Sequence, residues 1–445
     1  MDTRPPGVFV TERSSGVRMI VGAGTSTPAF LGYTEAPRND AEERSTSPFD
    51  ASERVVPQLI HGWQEFADRY SITESGNELA ALLEKQSNDQ NLTAAELKRI
   101  QVLQRCFTLA EAIYGFFANG GTSCYVVGFL TPDRAVTDEA LAGDTDQRTG
   151  LGGLETIPNV TMVAVPSLWD MTVDATESAT PPQPDLPTGK ELIDKVLAHC
   201  TKQRNRVALV DAPPDQSVDT LEQFVDTLAS PDTDEAAFTA LYYPWVKVAG
   251  VDGVSRTVPP SGHLAGVWAR TDAERGVFKA PANQSLRGVL EFPTALTDEQ
   301  HGDLNAKGVN CLRAFPDRGL LVWGARTRSS SRDWRYLNVR RLVSFLSDSI
   351  QQSTIWAMFE PNDDQLWATL RHAVTSFLTD QWRLGALVGR TPEEAFYVIC
   401  DSTNNTPSTI DTGQVVCDIG IAPVRPAEFV QFTITQLAGQ SAGSS

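Results

Sequence analysis

The sequence predicts a multidomain α+β protein that contains an α/β segment, ends in a C-terminal α+β domain, and carries an extended β-strand arm at each terminus. Three observations predict it. Compact apolar runs alternate with amphipathic helical stretches over residues 155–250, the pattern of an α/β layer. Two helices with clear apolar stripes, followed by short strands, occupy residues 338–421. A short β-prone segment stands near each end, flanked by proline and by glycine or serine. The 445 residues, 41% of them hydrophobic, suffice for more than one core.

Residues 1–20 read as an N-terminal arm. Pro5-Pro6-Gly7 opens into Val8-Phe9-Val10-Thr11, and Ser14-Ser15-Gly16 follows, so Pro6, Gly7 and Gly16 serve as hinges around a short strand. Residues 21–135 are expected to form a β-rich domain with inserted helices. A loop enters a strand before Tyr33, a polar loop spans 36–50, and 55–60 suggests a short strand. Helices are expected over 77–86 and 93–117. In the second, Leu97, Ile100, Leu103, Phe107, Ala110 and Ile113 keep a 3.6-residue period, and Thr93 with Glu96 makes a capping box. Asn119-Gly120-Gly121 stops it, and 124–130 is a strand.

Residues 136–256 read as an α/β domain, with strands at 160–165, 206–210 and 240–248 and helices at 190–203 and 218–229. Residues 257–423 form the C-terminal domain. Its strands fall at 309–315 and 320–323. Asn338 is expected to cap a helix burying Leu342, Val343, Phe345, Leu346 and Ile350. Asn362-Asp363-Asp364 opens the next, with Leu366, Leu370, Val374, Phe377, Leu378 and Trp382 inward and Gly385 at its end. Strands at 396–400 and 414–421 follow. In the C-terminal arm, 424–445, Val430, Phe432 and Ile434 alternate with Gln431, Thr433 and Thr435, hinged at Pro423 and Pro426. Two loose strands can pair with sheet edges of neighbouring copies. Val8, Phe9, Val10, Phe429, Val430, Phe432 and Ile434 are the expected strand-addition residues.

A net charge of -19 argues against nucleic acid and anionic membranes as partners. No stretch approaches the ~20 apolar residues of a membrane span, so direct membrane insertion is not expected. The six scattered cysteines, with no CxxC, read as buried thiols. Signals for chemistry are weak. Gly22-Ala23-Gly24 lacks the rest of a dinucleotide fingerprint. The five histidines show no metal-ligand spacing, and no cofactor is expected. Ser261 and His263 are not set in a nucleophile elbow. Asp211, after an apolar strand, is where an α/β enzyme places a functional acid, but it also suits a turn before two prolines. Arg340 and Arg341 read as structural ion pairs. The alternative to a structural protein is an α/β enzyme of unknown substrate on residues 155–250.

Several segments, in order, resemble the contractile tail sheath proteins of bacteriophages and of phage-tail-like injection systems. They are Pro6-Gly7-Val8-Phe9-Val10, residues 24–32 (GTSTPAFLG), residues 116–127 (FFANGGTSCYVV), residues 265–272 (AGVWARTD), residues 276–283 (GVFKAPAN), residues 323–327 (WGART), residues 334–342 (WRYLNVRRL), residues 359–362 (FEPN) and residues 421–429 (IAPVRPAEF). The resemblance is strongest over the last 190 residues or so.

The resemblance implies a non-enzymatic subunit that stacks in rings as a helical homopolymer around an inner tube protein. It implies baseplate and cap proteins at the ends, arms that add strands to neighbours' sheets, and contraction that drives the tube through a target envelope. It also implies assembly in a bacterial cytoplasm, as part of a virion tail or injection particle. The tube contact is expected on a C-terminal helix, for which Arg371 and Arg383 are the candidates.

Overall fold

The structure, a computed structural model, describes residues 19–35, 55–88, 91–178 and 180–429. Short apolar runs buried on both faces build its centre. β1 (Pro28–Tyr33) is buried at every residue. After β2 (Gln58–Ile60) come the helices α1 (Trp63–Arg69), α2 (Ile72–Ser87) and α3 (Ala94–Ala118). The predicted capping box forms at the start of α3: Glu96 N donates to Thr93 Oγ1 at 3.2 Å and Thr93 N to Glu96 Oε2 at 2.9 Å. Gly120, with φ of 116°, then turns the chain where a Cβ would lie 2.9 Å from that of Arg270.

The chain continues through β3 (Cys124–Phe129), α4 (Asp138–Ala142), α5 (Gly150–Glu155), β4 (Met162–Ala164), α6 (Leu186–Gln203), β5 (Val207–Asp211), α7 (Val218–Thr227), α8 (Asp234–Ala237) and β6 (Thr239–Tyr243). The strand expected over 240–248 breaks at Pro244, which has no N–H to give a ladder. Its second half, β7 (Val246–Val248), joins β8 (Arg256–Val258) and β10 (Val289–Glu291) in a separate three-stranded sheet. α9 (Ser261–Arg275) lies between β8 and β9 (Gln284–Ser285). α10 (Asp298–Ala306), β11 (Val309–Phe315) and β12 (Gly319–Val322) complete the body.

The main sheet has nine strands in the order β2-β3-β1-β4-β5-β6-β11-β12-β9. From β3 to β11 every neighbour is parallel; β2, β12 and β9 are antiparallel edges. A parallel sheet must be covered on both faces. Phe30 points to the side filled by Leu103, Phe107, Phe116 and Trp268 of α3 and α9. Ala29 and Leu31 point to the side filled by Ile193, Leu197, Leu221 and Phe224 of α6 and α7. The α/β layer is thus larger than the sequence suggests. It draws strands from 28–33 to 309–315 and runs through the expected boundaries at 135/136 and 256/257. Described residues of 21–135 are mostly helical. β1 pairs with β4 across some 130 residues, a non-local contact that periodicity does not register.

The C-terminal part comprises α11 (Leu337–Ser353), α12 (Asp364–Arg383), α13 (Pro392–Ala395), β13 (Phe396–Ile399), α14 (Pro407–Asp411) and β14 (Asp418–Ile421). Asp363 Oδ1 caps α12, accepting from Gln365 N and Leu366 N at 3.1 and 2.9 Å. Gly385 turns with φ of 86°, as predicted. The Asn338 expectation is corrected. The helix begins two residues earlier, at Leu337 with Tyr336 in the cap position, and Asn338, 1% exposed, donates Nδ2 to Phe278 O at 2.8 Å and Val424 O at 3.0 Å. Leu342, Leu346, Val374, Phe377, Leu378 and Phe396 form a separate core between α11, α12 and the hairpin.

Two arginines lock α11 to the body. Arg341 bonds Asp272 of α9 through both carboxylate oxygens, at 2.9 and 2.5 Å, the two side chains being 4% and 3% exposed. Arg340 makes no ion pair among the described residues, contrary to expectation. Its guanidinium lies 4.6 Å from the ring of Phe238 and 4.3 Å from that of Trp334, and burial lowers its pKa to about 10.

Candidate functional site

β13 and β14 form an antiparallel two-stranded sheet, and no other described strand joins it. Alternation decides its faces. Phe396, Val398, Ile419 and Ile421 pack on the α11–α12 core. Tyr397 and Ile399 face outward, 56% and 39% exposed. Tyr397 stands opposite Gly420, and a Cβ on that glycine would lie 2.1 Å from the Tyr397 ring, so the ring covers the glycine backbone. Each strand gives half its backbone groups to the other and presents the rest at an outer edge. A two-stranded ribbon with an apolar outer face is a template for further strands.

The described ends of the chain flank this unit. Residues 19–27 run along α11 as a strap without forming a strand. Ile20 packs on the C-terminal core. Val21 N donates to Ser353 Oγ at 3.1 Å, Ala23 N to Ser349 Oγ at 2.9 Å, and Gly22 lies against Phe345. Farther on, Thr25 O accepts from Arg341 Nη2 at 3.1 Å, and Ser26 Oγ donates to Asp272 at 3.1 Å. The other strap begins beyond β14. Val424 N donates to Ala386 O at 3.1 Å, Asn338 Nδ2 holds Val424 O, and Glu428 pairs with Arg326 through both carboxylate oxygens. Phe429 is 81% exposed beside a groove of about 850 Å³ that includes His301 and Trp323. The N-side strap is anchored at Ser353 and the C-side strap at Asn338. Fifteen helical residues separate these anchors, about 22 Å at 1.5 Å per residue.

Among the predicted site residues, Val8, Phe9, Val10, Val430, Phe432 and Ile434 and the hinges Pro6, Gly7 and Gly16 lie outside the described residues. Pro423 bridges Leu387, and Pro426 lines the groove beside Phe429. Arg371 donates Nη1 to Cys400 O at 3.2 Å and lies 3.7 Å from Asp401, so it ties α12 to the hairpin loop. Arg383 projects farther along α12, 69% exposed at the side chain, 3.5 Å from Asp380. The sequence reading missed Ser349, Ser353, Tyr397 and Gly420. Its one available signal was the pair of serines four residues apart on an otherwise amphipathic helix.

Asp211, Ser261 and His263, the residues weighed for chemistry, are buried, and Asp211 Oδ2, Ser261 Oγ and His263 Nδ1 have no hydrogen-bond partner among the described residues. Asp211 is buried at the end of β5, where its Oδ1 accepts from Ser261 N at 2.9 Å, satisfying an unpaired N–H at the start of α9. Burial pushes its carboxyl up to about 7. His263 is packed against Gly115 of α3, and burial lowers it to about 4. The segments that carried the family resemblance are clamps. Asn119 Nδ2 donates to Gly115 O and Arg287 O, Arg270 reaches Asn119 O and Ser285 O, and Asn362 Oδ1 accepts from Trp367 Nε1.

The family model of the phage tail sheath protein central domain matches residues 182–328, and that of the phage tail sheath C-terminal domain matches 329–436. The tail sheath protein of Enterobacteria phage T4 is 24% identical over 355 residues, covering 73% of this chain and 50% of the phage protein. That of Vibrio phage KVP40 is 28% identical over 180 residues, 40% of this chain and 26% of its own length. The chain therefore spans half or less of these curated relatives. Among solved structures, the helical sheath of the anti-feeding prophage in its contracted state superposes with a TM-score of 0.68 at 28% identity, covering 98% of this chain and 100% of that chain. The PVC sheath complex of an extracellular contractile injection system, also contracted, gives 0.66 at 27% identity, with 98% of each chain covered. Two adjoining sheath domains matched from 182 to 436, and a fold shared over nearly the whole chain, establish that this protein belongs to the contractile tail sheath family.

Proposed function

We propose that this chain is the structural subunit of a contractile sheath. It polymerises helically around an inner tube and contracts to drive the tube through a target envelope. The observation that carries this reading is the β13–β14 ribbon, open at its edges and apolar outside, with the straps leading to the two arms anchored at opposite ends of α11. An arm from a neighbour completes the ribbon by strand addition, and the two arms of one subunit reach different neighbours. Simultaneous engagement raises effective concentration, so assembly becomes cooperative. The contacts are head-to-tail and generate an open helix.

During contraction the arms stay paired while their hinges turn, and subunits exchange one interface for another as rigid bodies. Partners at the ends are a baseplate and a terminator, and assembly takes place in a bacterial cytoplasm. Arg383, with Arg371 beside the hairpin, faces the tube through weak, screened pairs suited to a surface that must release. The test is truncation before Phe429, read by negative-stain electron microscopy of protein co-expressed with its tube. The expected result is a folded subunit without sheaths; full-length sheaths would refute the strand-addition reading. Arg383→Glu is expected to abolish tube-templated assembly, and normal templating would remove Arg383 from the tube contact.

A further inference from the structure

Beyond the four paired residues of the hairpin, the register Ile399↔Asp418 extends by one to set Cys400 opposite Cys417. Ala422 N donates to Ala395 O, which marks 395/422 as a hydrogen-bonded pair. Alternation then makes 400/417 a non-hydrogen-bonded pair, with Cα atoms about 4.5 Å apart. That separation lies within the range of about 4.4–6.8 Å that a disulfide requires. The two side chains adjoin one another. They sit in a small apolar nest with Leu366, Trp367 and Leu370 of α12. Asn405 holds the loop in place, donating Nδ2 to Val416 O at 2.9 Å and accepting from Val416 N at 2.7 Å. No group of three or more potential metal ligands occurs among the described residues, so the pair does not read as half of a metal site.

We propose that Cys400 and Cys417 form a reversible intramolecular disulfide that fastens the loop end of the β13–β14 hairpin. The oxidant is a low-molecular-weight disulfide, RSSR. Cys417, the partly exposed thiol, is the one RSSR can reach; the Cys400 thiol beside it and burial hold its pKa up, so loss of its proton is the slow step before it attacks RSSR, forming a mixed disulfide and releasing one RS⁻. Cys400, once deprotonated, attacks the Cys417 sulfur and expels the second RS⁻. The two leaving thiolates take up the two protons, so two cysteines are oxidised and RSSR is reduced to two RSH. Cys400 suits the second step: the Cys417 side chain beside it, with the Arg371 guanidinium nearby, lowers its pKa. The remaining thiols, Cys106, Cys124, Cys200 and Cys311, are buried in the body, and burial raises each. This pair stands independently of the assembly role.

The experiment incubates the full chain with oxidised glutathione, blocks free thiols after denaturation, and maps peptides. Two of the six thiols should escape blocking. They should map to one linked pair containing residues 400 and 417, about 2 Da below the sum of its parts, and dithiothreitol should restore them. Amide exchange over 396–399 and 418–421 should slow about tenfold or more on oxidation. Cys417→Ser should keep all its remaining thiols. Six blocked thiols in the wild type, a link elsewhere or between chains, equal thiol loss in Cys417→Ser, or unchanged exchange would overturn the proposal. Should that variant not fold, the wild-type peptide map alone decides.

Discussion

Arg341→Ala tests how much the buried Arg341–Asp272 pair contributes to holding α11 on the body. The guanidinium donates to both oxygens of Asp272 and to the carbonyl of Thr25, and lies 4.7 Å from the Trp268 ring. Both charged side chains are almost wholly out of water. Removing one leaves a buried carboxylate with no counter-charge, which costs about 3–5 kcal/mol. At roughly 2 °C per kcal/mol for a long chain, the melting temperature should fall by about 6–10 °C. Urea titration gives the free energy directly. Arg341→Lys should recover only part, because an ammonium cannot span two carboxylate oxygens and Thr25 O together. In a double-mutant cycle, Asp272→Ala combined with Arg341→Ala should cost clearly less than the two singles summed, since no charge is then stranded. Additivity within about 0.5 kcal/mol, or a loss under 1 kcal/mol for Arg341→Ala, would refute this reasoning.

Glu428→Ala should free residues 424–429, because it removes the ion pair with Arg326. A charge-assisted contact of about 1.5–3 kcal/mol corresponds to roughly 10–100-fold faster proteolysis there. Asp211 gives a pH signature. Its folded carboxyl titrates near 7, above the unfolded value, so its contribution to stability falls as pH rises from about 4 to 7 and is level above that. His199 and His263, lowered by burial to about 3 and 4, act oppositely, losing stability as pH falls below about 6.5. The difference between wild type and Asp211→Asn, measured as melting temperature from pH 4 to 8, isolates the aspartate; a pH-independent difference would contradict the assignment. Gly420→Val should displace the Tyr397 ring and cost about 1–3 kcal/mol, seen as faster amide exchange in β13.

Local signals in the sequence translated well. The Thr93–Glu96 box, the Asp363 cap, the Gly385 stop and the stripe from Leu366 to Leu378 are all decided within a turn or two of helix. What escaped was non-local. Nothing near Asn338 reveals that its amide joins Phe278 to Val424, 60 and 86 residues away, so a cap was the simpler reading. Likewise β1 and β3 pair only because a long insertion folds back, and their apolar character alone gives no partner. The hairpin was legible as two strands. The opposition of Tyr397 to Gly420, and of Cys400 to Cys417, needed the register.

The anchors at Ser353 and Asn338 have a mechanical consequence. A pull on one end of the chain that is resisted at the other travels along α11, a rod some 22 Å long, and through the hydrogen bonds that seize it. The nine-stranded sheet hangs beside this line, tied to it through the Glu428–Arg326 and Arg341–Asp272 pairs. It is cargo on a strut, free to lengthen its loops or gain lobes without slackening the cable.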